Sequence, residues 1–253
     1  MEWREPGLVL GGRRFGETDV VLDVFTRDRG RRRGLVYGGM SRAKRAALEP
    51  GNTLMLEWRG RLEEQLGHFS IAEVSEGRAA RLLADPLALS AAASITGLLS
   101  GCLSESEPVP GLYDAAVIVL DALGTEARWP AMYVRFEVGI LSAMGFGMDL
   151  SACALGGEAD DLGWVSPRSG RAASRAAVAA EGDGLSAKLL ALPRFLTDIA
   201  APAEREDVLA GLALTGHFLE QRLFSERGRL CPPAREALVE RLRRTAPATA
   251  IAP

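Results

Sequence analysis

Residues Arg27 to Arg45, RDRGRRRGLVYGGMSRAKR, hold eight basic side chains and one acid in nineteen positions. That density suits one kind of chemistry: neutralising the phosphates of a polyanion. Seven of the eight are arginine, whose planar guanidinium offers phosphate a fork of donors that lysine lacks. Arg27, Arg29, Arg31, Arg32 and Arg33 surround a turn signal, Asp-Arg-Gly, and a second cluster of Arg42, Lys44 and Arg45 follows GGMS. Tyr37 lies between the clusters, and Trp58 and Phe69 follow. Any of the three fits a stacking platform for bases, and each also fits a packed core. Together these features match a small basic β module that holds single-stranded nucleic acid without reading its sequence. The competing reading is a long hairpin with solvated charge.

Other chemistry is sparse. His68 falls in an apolar strand-like run and His217 in an apolar helical one, places where packing or surface roles are the common ones. Asp160 and Asp161 are adjacent, so on a strand they would face opposite sides; they read as solvated loop acids. No nucleophile elbow, phosphate-binding loop or HExxH helix occurs, so no catalytic residues and no cofactor are assigned. Cys153 opens a glycine-containing segment of zinc-ribbon size, but Gly156 stands where a C-x₂-C partner belongs. No other Cys or His lies between 153 and 216. One ligand cannot close a tetrahedral site, so no metal is expected.

The net charge of −3 and pI of 5.6 hide an asymmetry. Residues 1–80 carry 14 basic and 12 acidic side chains, whereas the remainder carries 16 and 21. A global charge that argues against nucleic acid therefore coexists with a local one that argues for it. Three scattered cysteines, Cys102, Cys153 and Cys231, suit a reducing cytoplasm. The opening MEWREPG lacks the layout of a signal peptide, and no run reads as a membrane span.

The elements that would carry these residues change in texture near residue 78. Before it, GLVLGGR, TDVVLDVFT, RGLVYGG, NTLMLEWRG and LGHFSIAEV are short β-type runs punctuated by Gly, Asp, Pro and Asn. Five such runs predict a small closed or partly open β-barrel over 1–77, with a sandwich as the alternative because the period-2 patterning is imperfect, placing the chain in the α+β class. After it, apolar residues recur at helical spacing over 78–103, with an interruption at Pro86, and again in VPGLYDAAVIVLDALG and WPAMYVRFEVGILSAMGFG. The helical domain is expected over 78–245, resuming at 185–200, 203–225 and 233–244 after an irregular insertion at about 149–180. The tail 246–253 reads as disordered.

Three stretches resemble the RecO family of bacterial recombination mediators: GLVLGGRRFGETDVVLDVFTRDRGRRRGLVYGGMSR, LEPGNTLMLEWRGRLEEQLGHF, and YVRFEVGILSAMGF followed by DLSAC and VSPRSGR. The R-x-x-G-E and G-x-x-x-G-G-x-S-R patterns carry most of its specificity. The resemblance implies an oligonucleotide-binding (OB-fold) barrel, then a helical bundle with a zinc-ribbon-like insertion. It further implies binding of single- and double-stranded DNA, strand annealing, action with RecR, and help for RecA on DNA coated with single-strand-binding protein. In the pattern the resemblance implies, many relatives carry four zinc cysteines in the insertion. Here Cys153 alone remains, with Gly156, Ser174 and Ala177 in the other positions, so the insertion is expected to hold by packing through Trp164 and Pro167. Arg135 matches a helix arginine that would receive the acidic C-terminal tail of single-strand-binding protein; an ion pair within its own helix is the alternative. The phosphate contacts expected are Arg29, Arg31, Arg32, Arg33, Arg42, Lys44 and Arg45. The rivals are an RNA-binding barrel protein, an assembly module whose basic hairpin takes an acidic protein, and an enzyme, for which no residues speak.

Overall fold

The computed structural model describes residues 1–62 and 65–244; the tail expected to be disordered lies outside them. All five β-type runs are strands. A long β1 (Glu2–Phe15) gives its first half to β4 (Thr53–Arg59) and its second to β2 (Asp19–Thr26), with a bulge between Val9 and Gly11. The hairpin continues into β3 (Gly30–Val36), and β4 pairs with β5 (Gly67–Glu76), giving the order β1-β2-β3-β5-β4. Alternate side chains turn inward into a core that includes Trp3, Leu22, Val24, Leu54, Leu56, Trp58 and Phe69. Trp3 and Trp58 stack at 5.9 Å, and Phe69 meets Trp3 edge-on.

The five strands run round into a barrel, but the expected oligonucleotide-binding barrel is corrected at one seam, where β3 meets β5. Four seams are ladders of seven or more residue pairs, but β3 meets β5 through two parallel pairs, Gly34–Gly67 and Leu35–His68. The rest of that edge of β3 goes to a connector between two helices. Arg31 bridges Glu105, and the Ser106 N–H donates to the Arg31 carbonyl at 2.9 Å. Gly30 makes the approach possible: its φ is +69°, and a Cβ there would sit 2.2 Å from the Glu107 carbonyl oxygen. The strand wall is therefore completed by a segment far away in sequence.

That connector joins α3 (Pro86–Cys102) to α4 (Pro110–Ala122); two short helices, α1 (Arg42–Arg45) and α2 (Arg78–Leu82), precede them in the chain. The break predicted at Pro86 is a helix start: Asp85 accepts from the N–H groups of Leu87 and Ala88, and Pro86 occupies the first turn, where no donor is lost. Residues Met1–Glu126 and Pro232–Leu238 form one compact unit.

The second unit comprises Ala127–Cys231 and, among the described residues, 239–244. Here α5 (Trp129–Ala143) packs on α8 (Arg205–Phe218). Gly211 allows the close approach, since a Cβ would come within 2.8 Å of Val134. The Thr215 hydroxyl donates to the fully buried Glu137 carboxylate between the two helices. The insertion is more regular than expected: β6 (Leu162–Val165) pairs with β7 (Ala172–Ser174) and with β8 (Leu190–Ala191). The helix expected over 185–200 is accordingly absent. Between α6 (Arg175–Ala180) with α7 (Asp183–Ser186) and the 3₁₀ turn Arg194–Leu196, the chain extends to pair with β6. After α8, one π-helical stretch, Leu219–Phe224, precedes α9 (Pro233–Arg244).

Candidate nucleic-acid interface

The hairpin arginines are mostly held. Arg31 is the extreme case. Its guanidinium takes both Asp23 carboxylate oxygens, the closest at 2.6 Å, together with the carbonyls of Ser100 at 2.6 Å and Leu103 at 3.2 Å. Its side chain is 16% exposed. Arg27 pairs with Asp114 at 3.0 Å, and that hydrogen bond draws the Asp114 carboxyl below its ordinary range. Arg29 lies over the Trp3 ring at 5.4 Å and 3.5 Å from Glu5. Burial pushes the Glu5 carboxyl up, against the Thr26 hydroxyl and the Arg29 charge. Arg33 forms an ion pair with Glu105, and the Arg32 Nε donates to the Arg29 carbonyl at 3.2 Å.

The second cluster is open. Arg42, Lys44 and Arg45 all lie on α1, and none of that helix is buried. Among the described residues the Arg42 and Arg45 side chains form neither a hydrogen bond nor an ion pair, and the Lys44 ammonium donates to the Tyr37 carbonyl at 2.6 Å. A missed arginine joins the picture from β1. Arg13 lines a concavity of about 230 Å³ with Arg32, Arg33, Trp58, Gln65 and Glu105. Its signal was present as the Arg13–Arg14 pair, but lay outside the dense stretch. Of the three aromatics considered for stacking, Trp58 and Phe69 are core, at 2% and 3% exposed, whereas Tyr37 is 58% exposed. The surface is thus a set of fixed cations beside a set of free ones, with an aromatic at the junction.

The chain matches two family models, described as Recombination protein O N terminal over residues 1–78 and Recombination protein O C terminal over residues 83–230. It is similar to proteins named DNA repair protein RecO from Hyphomonas neptunium (51% identical, covering 96% of this chain and 98% of the relative), Rhodospirillum centenum (44%, 100% and 99%) and Phenylobacterium zucineum (46%, 96% and 98%). The chain belongs to the RecO family.

Within this RecO-family chain, the insertion residues do not suit zinc. Gly156 and Ala177 offer no side-chain donor, and among the described residues no group of three or more His, Cys, Asp or Glu could hold a metal. The Cys153 sulfur is instead satisfied by hydrogen bonds. It accepts from the Ser174 N–H at 3.1 Å and the Leu155 N–H at 3.4 Å, and lies 3.6 Å from the Ser174 hydroxyl. Burial raises the thiol, but these donors with the Gly157 N–H outweigh it and bring it down to about 7. Packing of the insertion rests on Leu162, Val165, Ala172 and Val178 more than on the half-buried Trp164 and Pro167. Ser174 also caps α6, accepting from the Ala177 N–H.

Arg135 makes no ion pair within α5. It donates to the Phe195 carbonyl at 2.7 and 3.1 Å and to the Ile199 carbonyl at 3.2 Å, with its guanidinium 5.5 Å from the Phe195 ring. Burial, then the Arg128 charge, lowers its pKa. His217 sits on α8, 3.3 Å from the Pro167 carbonyl, and Asp161 accepts from the Ala176 N–H at the start of α6. Asp161 also pairs with Arg175 at 3.6 Å, a contact that ties the start of α6 to the turn before β6. Among the described residues no helix is long and apolar enough to cross a membrane.

Proposed function

We infer that this chain is a DNA repair and recombination mediator that binds DNA and carries out no chemistry of its own. The observation that carries the reading is family membership over nearly the whole chain, residues 1–78 and 83–230, with relatives named for DNA repair. The proposed phosphate contacts are Arg42, Lys44 and Arg45 on α1, and Arg13, Arg32 and Arg33 around the concavity. Arg29 and Arg31 are proposed to support that surface by holding the hairpin in place. The finer roles follow from the family: annealing of strands on single- and double-stranded DNA, action with RecR, and help in loading RecA. The acidic tail of single-strand-binding protein is proposed to dock near Arg135, a half-buried cation beside Ile199, which is 85% exposed.

The test is strand annealing on complementary DNA coated with single-strand-binding protein. Acceleration over the protein-free reaction is expected. No acceleration, together with no binding to naked DNA at low salt, would overturn the reading.

A further inference from the structure

The two-pair stitch between β3 and β5 has a chemical product. Because Leu35 pairs with His68, the imidazole emerges beside the residue two positions beyond Leu35, which is Tyr37. The two rings lie 5.9 Å apart at a 48° tilt. Tyr37 is 58% exposed although it follows a strand directly, and its backbone is fixed. The Gly38 N–H donates to the Asp19 carboxylate at 2.8 Å, the Ser41 N–H to the Gly38 carbonyl at 3.1 Å, and Lys44 to the Tyr37 carbonyl. An exposed aromatic on a rigid turn retains little freedom to lose when a flat ligand covers it.

Two groups of cations stand near this ring. Arg42, Lys44 and Arg45 lie on α1, which Lys44 ties to the Tyr37 carbonyl. His68, against the ring, shares with Arg59, Arg61, Glu2 and Met1 an open concavity of about 540 Å³. Arg59 is paired with Glu2 at 3.1 Å, whereas Arg61 has no ion pair among the described residues. A planar platform beside two sources of positive charge matches the repeating chemistry of a single strand, base flanked by phosphates. A duplex keeps its bases stacked on one another and could offer the platform only its backbone.

We propose that Tyr37, backed by His68, is a stacking subsite for one unpaired nucleobase of single-stranded DNA, with the flanking phosphates taken by α1 and by Arg61. The proposal rests on the DNA-binding reading above and adds to it a residue that separates single strands from duplex. Tyr37 contributes its ring face, so the hydroxyl is dispensable.

The experiment compares wild type, Tyr37→Ala and Tyr37→Phe in binding a single-stranded oligonucleotide bearing 2-aminopurine and the duplex of the same sequence. Tyr37→Ala should weaken single-strand binding about five- to thirtyfold, a loss in the lower part of the range for one stacked base. It should leave duplex binding within about twofold and abolish the quenching of 2-aminopurine that accompanies stacking. Tyr37→Phe should behave as wild type. Wild-type affinity and quenching in Tyr37→Ala would overturn the subsite while leaving DNA binding intact. Equal losses on single strand and duplex would also overturn it, by giving the turn a general role. Wild-type protein that bound neither form would bring down the DNA-binding reading itself.

Discussion

Two arginine-rich segments, β3 with its turn and α1, look alike in sequence and serve different ends. Around the turn, Arg27 and Arg33 reach Asp114 and Glu105, and Arg31, braced by Asp23 of β2, reaches the Ser100 and Leu103 carbonyls, so these cations tether the hairpin to the α3–α4 region. On α1, the Arg42 and Arg45 side chains face solvent and meet no partner among the described residues. Charge density therefore measures two quantities at once, cations that build the surface and cations that the surface offers. Only the second kind releases counterions on binding DNA.

The strongest way to break this division is to remove the most deeply held cation. Arg78, 3% exposed, ties Asp121 at 2.6 Å to the Thr53 hydroxyl at 2.7 Å. Arg78→Ala should cost about 3 kcal/mol in urea unfolding, at the low end for a broken buried pair because Asp121 stays half in water. A loss under about 1 kcal/mol would mean that burial does not mark the structural cations. Arg31→Ala should cost about 2 kcal/mol, because Asp23 and two carbonyls lose a charged donor. Its DNA-binding salt dependence should match wild type while the protein is folded. A flattened slope would make Arg31 a phosphate ligand after all.

For the open cluster the pattern reverses. The triple variant Arg42→Ala, Lys44→Ala, Arg45→Ala should unfold within about 0.5 kcal/mol of wild type, as expected for exposed residues. Its log–log salt slope on single-stranded DNA should be shallower by about 2, at roughly 0.7 for each phosphate no longer neutralised. An unchanged slope would remove α1 from the interface. Between the classes lies Arg33, half-exposed and paired with a half-exposed Glu105. Such a pair is worth less than about 1 kcal/mol, so Glu105→Gln should free the cation at little cost and tighten DNA binding a few-fold at low salt. Tightening that persists at high salt would point to something other than charge. The smallest effect is that of Arg27 and Asp114. Their link holds the Asp114 carboxyl below its ordinary value, so its contribution is present above about pH 4 and fades as pH falls through the lowered value. Asp114→Asn should therefore melt slightly lower than wild type at neutral pH, and the two curves should converge in acid. A difference that grew on acidification would reverse the sign of the link.

The strands and most helices were legible because their signals are local: alternation bounded by Gly and Asp, and helical spacing interrupted at Pro86. The sorting of the arginines was not. Arg27 lies 87 positions from Asp114, and Arg31 lies 69 from Ser100, distances over which a sequence pattern carries no register. For the same reason the contact of Glu105 with the edge of β3 was invisible, although the barrel itself was expected. The apolar run at 185–200 misled differently. β8 is two residues long, too short for alternation to distinguish it from a helix turn. Tyr37 was legible as an aromatic but not as an exposed one, since its exposure depends on the turn that Asp19 secures.

The unit that contains the sheet also contains residues Pro232–Leu238. There Leu238 is wholly buried, Arg235 is 4% exposed, and Pro232 comes close enough to α3 that a Cβ on Gly97 would touch it at 3.4 Å. A ribosome making the chain in order delivers that piece about a hundred residues after Glu126, a delay on the order of ten seconds at cellular elongation rates. During that interval the nascent N-terminal unit has every strand but lacks its last packing partner, so its maturation is timed by translation of the other unit.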